Sequence, residues 1–307
     1  MKRILAVTWI LALACGTDGS EPESALPEGV EGISLLGDTL RPMELPENVL
    51  SVYQDNFDAA KREYEANRED ADALIWYGRR IAYLGRYREA IDIFTTGIEQ
   101  HAQDARLLRH RGHRFLSVRD LDRAVEDLTK AAAMIMDTRD ETEPDGLPNA
   151  QGIPTSTLHT NIWYHLGLAH YLQGNFENAL RAYEHGVAAS MNPDMLIAMT
   201  YWHYMTLRRM GNDDTAQRIL DLVQPNLELL ENHDYYRLLQ LNQGRLTLED
   251  LEETSDLSGS TLGYGIGNWH WMNGRTDEAL ETWRNVLDGN QWAAFGYIAA
   301  EAELARQ

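Results

Sequence analysis

His110 and His113 stand one helical turn apart in the run LLRHRGHRF, flanked by Arg109, Arg111 and Arg114. Two imidazoles at that spacing suit proton transfer or, together with His165, metal ligation. Charge decides against the metal: three neighbouring guanidinium groups repel a divalent cation, and no cysteine or nearby acid completes a ligand set. No metal and no cofactor is expected. Carboxylates come from the segment ETEPDGLPNAQGIP at 141–154, where Glu143 and Asp145 sit among Pro144, Gly146, Pro148 and Pro154. Proline rings and turn residues stiffen such a segment, so its acids are held in place. Opposite His110 or His165 they could serve as general acid or base. His110, His165, Glu143 and Asp145 are therefore the catalytic candidates of a hydrolase-type reading, with an anionic or carbohydrate substrate. No GxSxG elbow, HExxH pair or CxxC site occurs. The run GYGIG at Gly263–Gly267 follows no strand pattern and reads as close helix packing, not a phosphate loop.

The elements that must position these residues repeat every 34 positions. Gly78, Gly85, Ala90 and Phe94 in GRRIAYLGRYREAIDIF are answered by Gly112, Arg119, Ala124 and Leu128 in GHRFLSVRDLDRAVEDL. After a 21-residue offset the frame returns as Gly167, Gly174, Ala179 and Tyr183. A fourth copy keeps Gly211 and Ala216 but has Tyr204 where glycine is expected, and a fifth keeps Gly267, Gly274 and Ala279. The segment from His233 to Glu253, around Gly244, is a poorly matching helical stretch. The period and its small-residue helix pairs resemble the tetratricopeptide repeat. That resemblance implies an all-α right-handed solenoid of stacked helix pairs with a free concave face. Residues 47–70 are expected to form an N-terminal capping helix and 71–307 the solenoid, with an insertion at about 138–158. Ala90 and Ala124 are expected where the two helices of a repeat touch.

In the tetratricopeptide family the first helix of each pair lines the concave face, at fixed offsets from the marker glycine. Transferred here, the resemblance implies a ligand-binding set of Trp76, Arg79, Tyr83, Arg109, His110, His113, Tyr164, His165, Tyr201, Trp202, Arg208, Tyr264 and Asn268. The thirty concave positions hold one acid, Asp72, where 48 acids in 307 residues would place about five. The groove is thus read as basic and aromatic-lined, fitted to a protein, a peptide or a small anionic or sugar-like ligand. Some members of the family clamp a terminal carboxylate with Lys, Arg and Asn. This chain offers Arg79, Arg109, Asn161 and Asn268 but no lysine there. The acidic insertion is expected to act as a lid whose carboxylates pair with the groove arginines.

The whole-chain charge of −21 opposes nucleic acid and anionic membrane surfaces as partners. Lysine occurs only at Lys2, Lys61 and Lys130, so positive charge is almost entirely arginine, suited to bidentate recognition of oxoanions and carboxylates. Met1–Lys2–Arg3 followed by apolar residues 4–14 reads as a signal peptide over 1–14. Its ending, Ala12-Leu13-Ala14-Cys15, resembles the bacterial lipobox and implies acylation of Cys15. Gly16 after it favours, by the same resemblance, the outer membrane, with the body facing the periplasm or the surface. Residues 15–46, rich in proline, acids and glycine, read as an extended tether, with Ile33–Leu36 apolar enough to dock on the solenoid. The expected function is ligand or partner binding by an envelope-anchored solenoid, with the hydrolase and a purely structural assembly scaffold as alternatives.

Overall fold

A computed structural model describes residues 26–252 and 259–307 of the chain, so the signal segment and Cys15 lie outside the described residues. Fourteen helices and one short hairpin make up the described fold. Helix α1 (Glu47–Ala66) caps the N-terminal end, where Phe57 and Tyr64 pack on Tyr77. Six helix pairs follow among the described residues. They are α2 (Ala71–Tyr83) with α3 (Tyr87–Gln100), α4 (Ala105–Ser117) with α5 (Leu121–Ile135), and α6 (Leu158–Leu172) with α7 (Phe176–Ala189). Then come α8 (Pro193–Arg209) with α9 (Asp213–Asp221), the short pair α10 (His233–Asn242) and α11 (Leu248–Glu252), and α12 (Ser260–Met272) with α13 (Thr276–Leu287). Helix α14 (Phe295–Ala305) ends the fold. Among the described residues no helix is long and apolar enough to cross a membrane.

Close approach within each pair explains the repeated small residues. A Cβ added at Gly78, Gly112, Gly167 or Gly267 would lie 2.2–2.7 Å from Phe94, Leu128, Tyr183 or Trp283, the residue sixteen positions on in the second helix. Ala90, Ala124, Ala179, Ala216 and Ala279 are fully buried. In the fourth pair Tyr204 replaces the glycine and is itself buried, its hydroxyl donating to Asn242 Oδ1 of α10 at 3.1 Å. Side-chain caps start the helices: the carboxylates of Asp70, Asp104 and Asp120 each accept a backbone N–H from the first turn, satisfying donors that would otherwise be orphaned.

The turn between the helices of a pair needs a left-handed residue. Gly85, Gly174, Gly211, Gly244 and Gly274 supply it with φ between +69° and +77°. The second pair uses Arg119 at φ +67°, which costs an L-residue about 1–2 kcal/mol. The Arg119 guanidinium offsets that cost. It donates to Glu301 on α14 at 3.0 and 2.7 Å, to Ser117 O at 2.6 Å and to Trp292 O at 2.8 Å.

The same junction receives the N-terminal segment. From residue 26 the expected tether is a docked hairpin instead, with β1 (Gly32–Ile33) paired antiparallel to β2 (Thr39–Leu40). Leu35 N donates to Glu301 Oε1 at 2.5 Å, Trp292 Nε1 to Arg41 O at 2.6 Å, and Arg88 to Glu31. Gly32 fits against Val118 and Pro42 against Gly85, contacts too close for a side chain at Gly32. The first-described residues, repeat two and the last helix are thereby clasped together, and the solenoid coils shut over much of its concave side.

Candidate functional site

That closure corrects half of the expected groove. Tyr164, His165, Tyr201, Trp202, Tyr264 and Asn268 are interior, each at most 8% exposed; Arg109 and His110 are no more exposed, at 8% and 5%, but border a cavity. Trp202 is the centre of this interior. Its ring packs on Tyr171, Tyr201 and Tyr264 at 5.3–5.7 Å, and its Nε1 donates to the Tyr164 hydroxyl at 3.0 Å. Tyr264 donates to the Tyr171 hydroxyl at 2.9 Å, and buried Glu303 meets Arg209 and Arg306 at 2.8 Å each. The coil is too tight for those side chains to reach an open groove. Arg208, half-buried, pairs with Asp213 at 2.8 Å and donates to the Tyr204 hydroxyl.

The other end of the concave face stays accessible. Here α2 and α4 meet the segment between α5 and α6, residues 136–157, which lies across them as a strap. Thr142 bridges to Thr157, Glu143 N donates to Ser156 O, and a Thr157–Thr160 capping box starts α6. Asp140 accepts from Thr157 Oγ1 at 2.6 Å and from His159 N at 3.0 Å. The far side is tied down by Arg79 Nη2 to Pro144 O at 2.9 Å and Arg80 Nη1 to Gly146 O at 3.0 Å. Gly146 lies under the Tyr83 ring so closely that an added Cβ would collide with it. Asn149 Nδ2 and Thr155 Oγ1 donate to Glu231, and Asn192 Nδ2 to Thr155 O, which carries the strap to the next pairs.

The expected lid contact is present for one acid. Glu143 Oε1 is 3.1 Å from Arg109 Nη2, and its Oε2 accepts from Asn161 Nδ2 at 3.0 Å. Asp145 makes no such pair; burial, followed by the nearby Glu231, pushes its carboxyl up. Arg109 Nη1 is 2.9 Å from His110 Nδ1, and because a guanidinium only donates, Nδ1 accepts and the His110 proton sits on Nε2. That Nε2 is 3.7 Å from Glu143 Oε1, beyond hydrogen-bond range. His165 Nδ1 donates to Asn161 O at 2.5 Å, leaving Nε2 buried and without a partner. The His113 ring stacks 4.3 Å from His165, and Phe295 of α14 covers both. Burial, and then the field of Arg109 or Arg114, holds His110, His113 and His165 well below the ordinary imidazole range, so all three are neutral at pH 7. Glu143 thus lies beside His110 without a hydrogen bond to it: the carboxylate is held by Arg109 and Asn161 and the imidazole by Arg109.

Two cavities flank Arg79. An outer one of about 220 Å³ is lined by Ile75, Trp76, Arg106, Pro144 and Leu158 among others. Arg79 stacks 4.3 Å over Trp76 at its edge, and Arg106 bridges to Asp72, its counterpart one repeat earlier, at 2.5 Å. An inner one of about 110 Å³ is lined by Arg79, Tyr83, Arg109, His110, His113 and Arg114. The offset reading missed Arg114, whose spacing from the marker glycine points it away from the expected groove. The signal was present in the run of four arginines and histidines from Arg109 to Arg111 and His113, with Arg114 at its end. Among the described residues no cluster of His, Cys, Asp and Glu is placed to hold a metal ion.

A family model described as tetratricopeptide repeat matches residues 160–192, which spans α6 and α7. The chain carries a tetratricopeptide repeat there. With the helix pairs on either side it forms an all-α tetratricopeptide-repeat solenoid. No curated protein matches the sequence. Among solved structures the solenoid is similar to a tetratricopeptide repeat protein from Parabacteroides merdae, at 15% identity and TM-score 0.48, over 85% of this chain and 93% of that one. It is also similar to YrrB, described as a TPR protein with an unusual peptide-binding site, at 16% identity and TM-score 0.43, over 81% and 99%. MamA matches at 14% identity and TM-score 0.43, over 66% and 100%.

Proposed function

We propose that this solenoid is a binding module that captures a peptide segment of a protein partner at the mouth between α2, α4 and the strap. One observation carries the reading. At this end of the concave side Trp76 and Arg79 set an accessible aromatic face against a guanidinium at an open cavity that Ile75 and Leu158 also line, while Arg106 is held by Asp72 and Asp104 and the acids Glu141 and Glu143 form the strap side. A flat ring beside a guanidinium suits a segment with an apolar residue next to an acidic one, since ring and fork are both largely preordered by their mutual stacking. The hydrolase reading gains nothing here, because Glu143 and His110 are already bonded to Arg109.

A peptide array of mixed acidic and apolar composition, probed with the purified chain, tests this. Retained sequences are expected to pair acidic with apolar residues, and Trp76→Ala and Arg79→Gln are expected to weaken retention at least about tenfold, as central aromatic and arginine anchors do. Equal retention by both variants, at unchanged melting temperature, overturns the site.

We also propose, from the lipobox-like Ala12–Cys15 alone, that the mature chain is lipid-anchored in a bacterial envelope through Cys15. Cys15→Ser is expected to release the protein from the membrane fraction or leave it unprocessed. A membrane-bound, normally processed Cys15→Ser protein disproves the anchor.

A further inference from the structure

The inner cavity has a charge balance that the peptide reading does not use. Three guanidinium groups, those of Arg79, Arg109 and Arg114, line it, and one carboxylate, Glu143, faces them through Arg109. With His110 and His113 neutral, three positive charges against one negative leave the cavity at +2, inside a protein whose net charge is −21. Arg114 is the unusual member. Its guanidinium lies 5.2 Å from the Tyr87 ring and, among the described residues, makes no hydrogen bond or ion pair, whereas nearby Arg111 holds Asp127 at 2.7 and 2.8 Å. Burial pulls Arg114 down to about 10, with Tyr87 and Tyr83 opposing and Arg109 and Arg79 adding to the fall. Arg109 also keeps a buried Nε with no acceptor. Arg114 is half-buried, so its charge is partly withdrawn from water without a partner among the described residues to replace that water, and it stays open to an anion entering the cavity.

We propose that the cavity between α2 and α4 is an oxoanion site that takes one phosphate-class dianion, held by Arg79, Arg109 and Arg114. About 110 Å³ holds a single small tetrahedral ion with a few waters and excludes a peptide or a sugar. Arginine forks match the oxygens of such an ion in pairs, and the +2 excess is neutralised by a dianion and only half neutralised by a carboxylate. His110 and His113 supply neutral walls that add no competing negative charge. The site shares Arg79 with the peptide mouth, which lies on the Trp76 side of that residue, so Arg114→Met and Trp76→Ala, not Arg79 variants, tell the two apart. Free phosphate and a phosphoryl group carried on a partner's side chain share this chemistry.

Calorimetry and thermal melting of the full chain test it, with inorganic phosphate, O-phosphoserine and acetate at constant ionic strength and about pH 7.5, where a phosphate monoester is mainly dianionic. Phosphate is expected to bind saturably at one site and to raise the melting temperature, with acetate at least about tenfold weaker. Phosphoserine binding tighter than phosphate assigns the site to a carried phosphoryl group, and the reverse order assigns it to the free ion. Arg114→Met is expected to remove the phosphate-dependent rise while leaving the ligand-free melting temperature equal to or above that of the parent, because it deletes a half-buried charge that no acid among the described residues pairs with. A merely structural arginine would give the opposite sign. Exposed Arg181→Met serves as the charge control and is expected to retain phosphate binding. No heat and no melting shift with phosphate, acetate equal to phosphate, or phosphate stabilisation retained in Arg114→Met each overturns the proposal. Loss of phosphate binding with intact peptide retention, or the converse under Trp76→Ala, separates the two sites.

Discussion

The turn after α4 and the cavity beside α4 each hold an arginine of the same repeat, Arg119 buried and Arg114 half-buried, and the two are treated in opposite ways. At the turn, Arg119 is 2% exposed along its side chain and every part of its guanidinium is matched, by both oxygens of Glu301 and by two backbone carbonyls. In the cavity, Arg114 faces other cations and a tyrosine ring. A matched buried charge fixes geometry, here joining repeat two to the last helix and to the N-terminal hairpin. A half-buried one without an acid to pair with is a poor fastener and keeps its donors open. The contrast separates the part of the molecule that closes the solenoid from the part that remains available.

The largest effect is expected from breaking the matched pair. Glu301→Ala strands Arg119 in the interior and also removes the acceptor of Leu35 N, so a loss of about 3–5 kcal/mol is expected by urea denaturation. Replacing both partners, Arg119→Met with Glu301→Leu, is expected to recover most of that loss, because no charge is then left unpaired. Should the double variant be as unstable as the single one, the clasp owes its strength to packing and not to charge matching.

Acid is the next way to strain the comparison, because the basic end already holds three neutral imidazoles. His110, His113 and His165 are depressed in the folded chain from the ordinary 6.5, so the unfolded chain binds more protons as pH falls below that value. Their contribution is intact above about pH 6.5 and is lost as pH drops toward the folded values, by up to about 1.4 kcal/mol per pH unit for each imidazole. Denaturation midpoints between about pH 7.5 and 5.5 are expected to fall, and His165→Gln to flatten the fall. A flat profile in the parent would mean that these rings are not held neutral.

A smaller effect is expected from Glu143→Gln, which keeps the side chain's shape and its contact with Asn161 but removes the charge facing Arg109. About 1–3 kcal/mol of stability should be lost, while the cavity becomes more positive and phosphate affinity rises. The smallest stability change belongs to Arg114→Met, expected within about 0.5 kcal/mol of the parent or on the stabilising side. If Arg114→Met costs as much as Glu301→Ala, the two arginines are alike and the contrast fails.

Much of the fold was legible in the residues. The 34-residue period, the glycine facing a large residue sixteen positions on, and the alanines at 90, 124 and 179 are local steric requirements, and local requirements leave a trace in sequence. The insertion was legible as an interruption of that period, and its prolines announced a shaped segment. The candidate site was legible only in part. Arg79, Arg109, His110 and Glu143 do converge, because α2 and α4 are the equivalent helices of successive repeats and the strap that follows α5 folds back across both. Tyr201, Trp202, Tyr264 and Asn268 carried the same family offsets and are interior, since no offset within a repeat encodes how tightly successive repeats coil. The docked hairpin at 26–46 was likewise misread, because Pro and Gly content looks the same in a loose tether as in a tight hairpin held by Glu301 and Trp292.

By itself the sequence determined the repeated unit: which helices form, where they are capped, and which small residues let paired helices touch. These depend on spacings of at most a few tens of residues, within reach of hydrogen bonds and steric contact along one unit. Tertiary structure decided which concave side chains are buried and which stay open, and therefore where a ligand can go. That outcome hangs on contacts across 182 and 266 residues, Arg119 with Glu301 and Leu35 with Glu301. A closed coil and an open one can share every local preference; only the long-range burial of matched charges and aromatic rings selects between them.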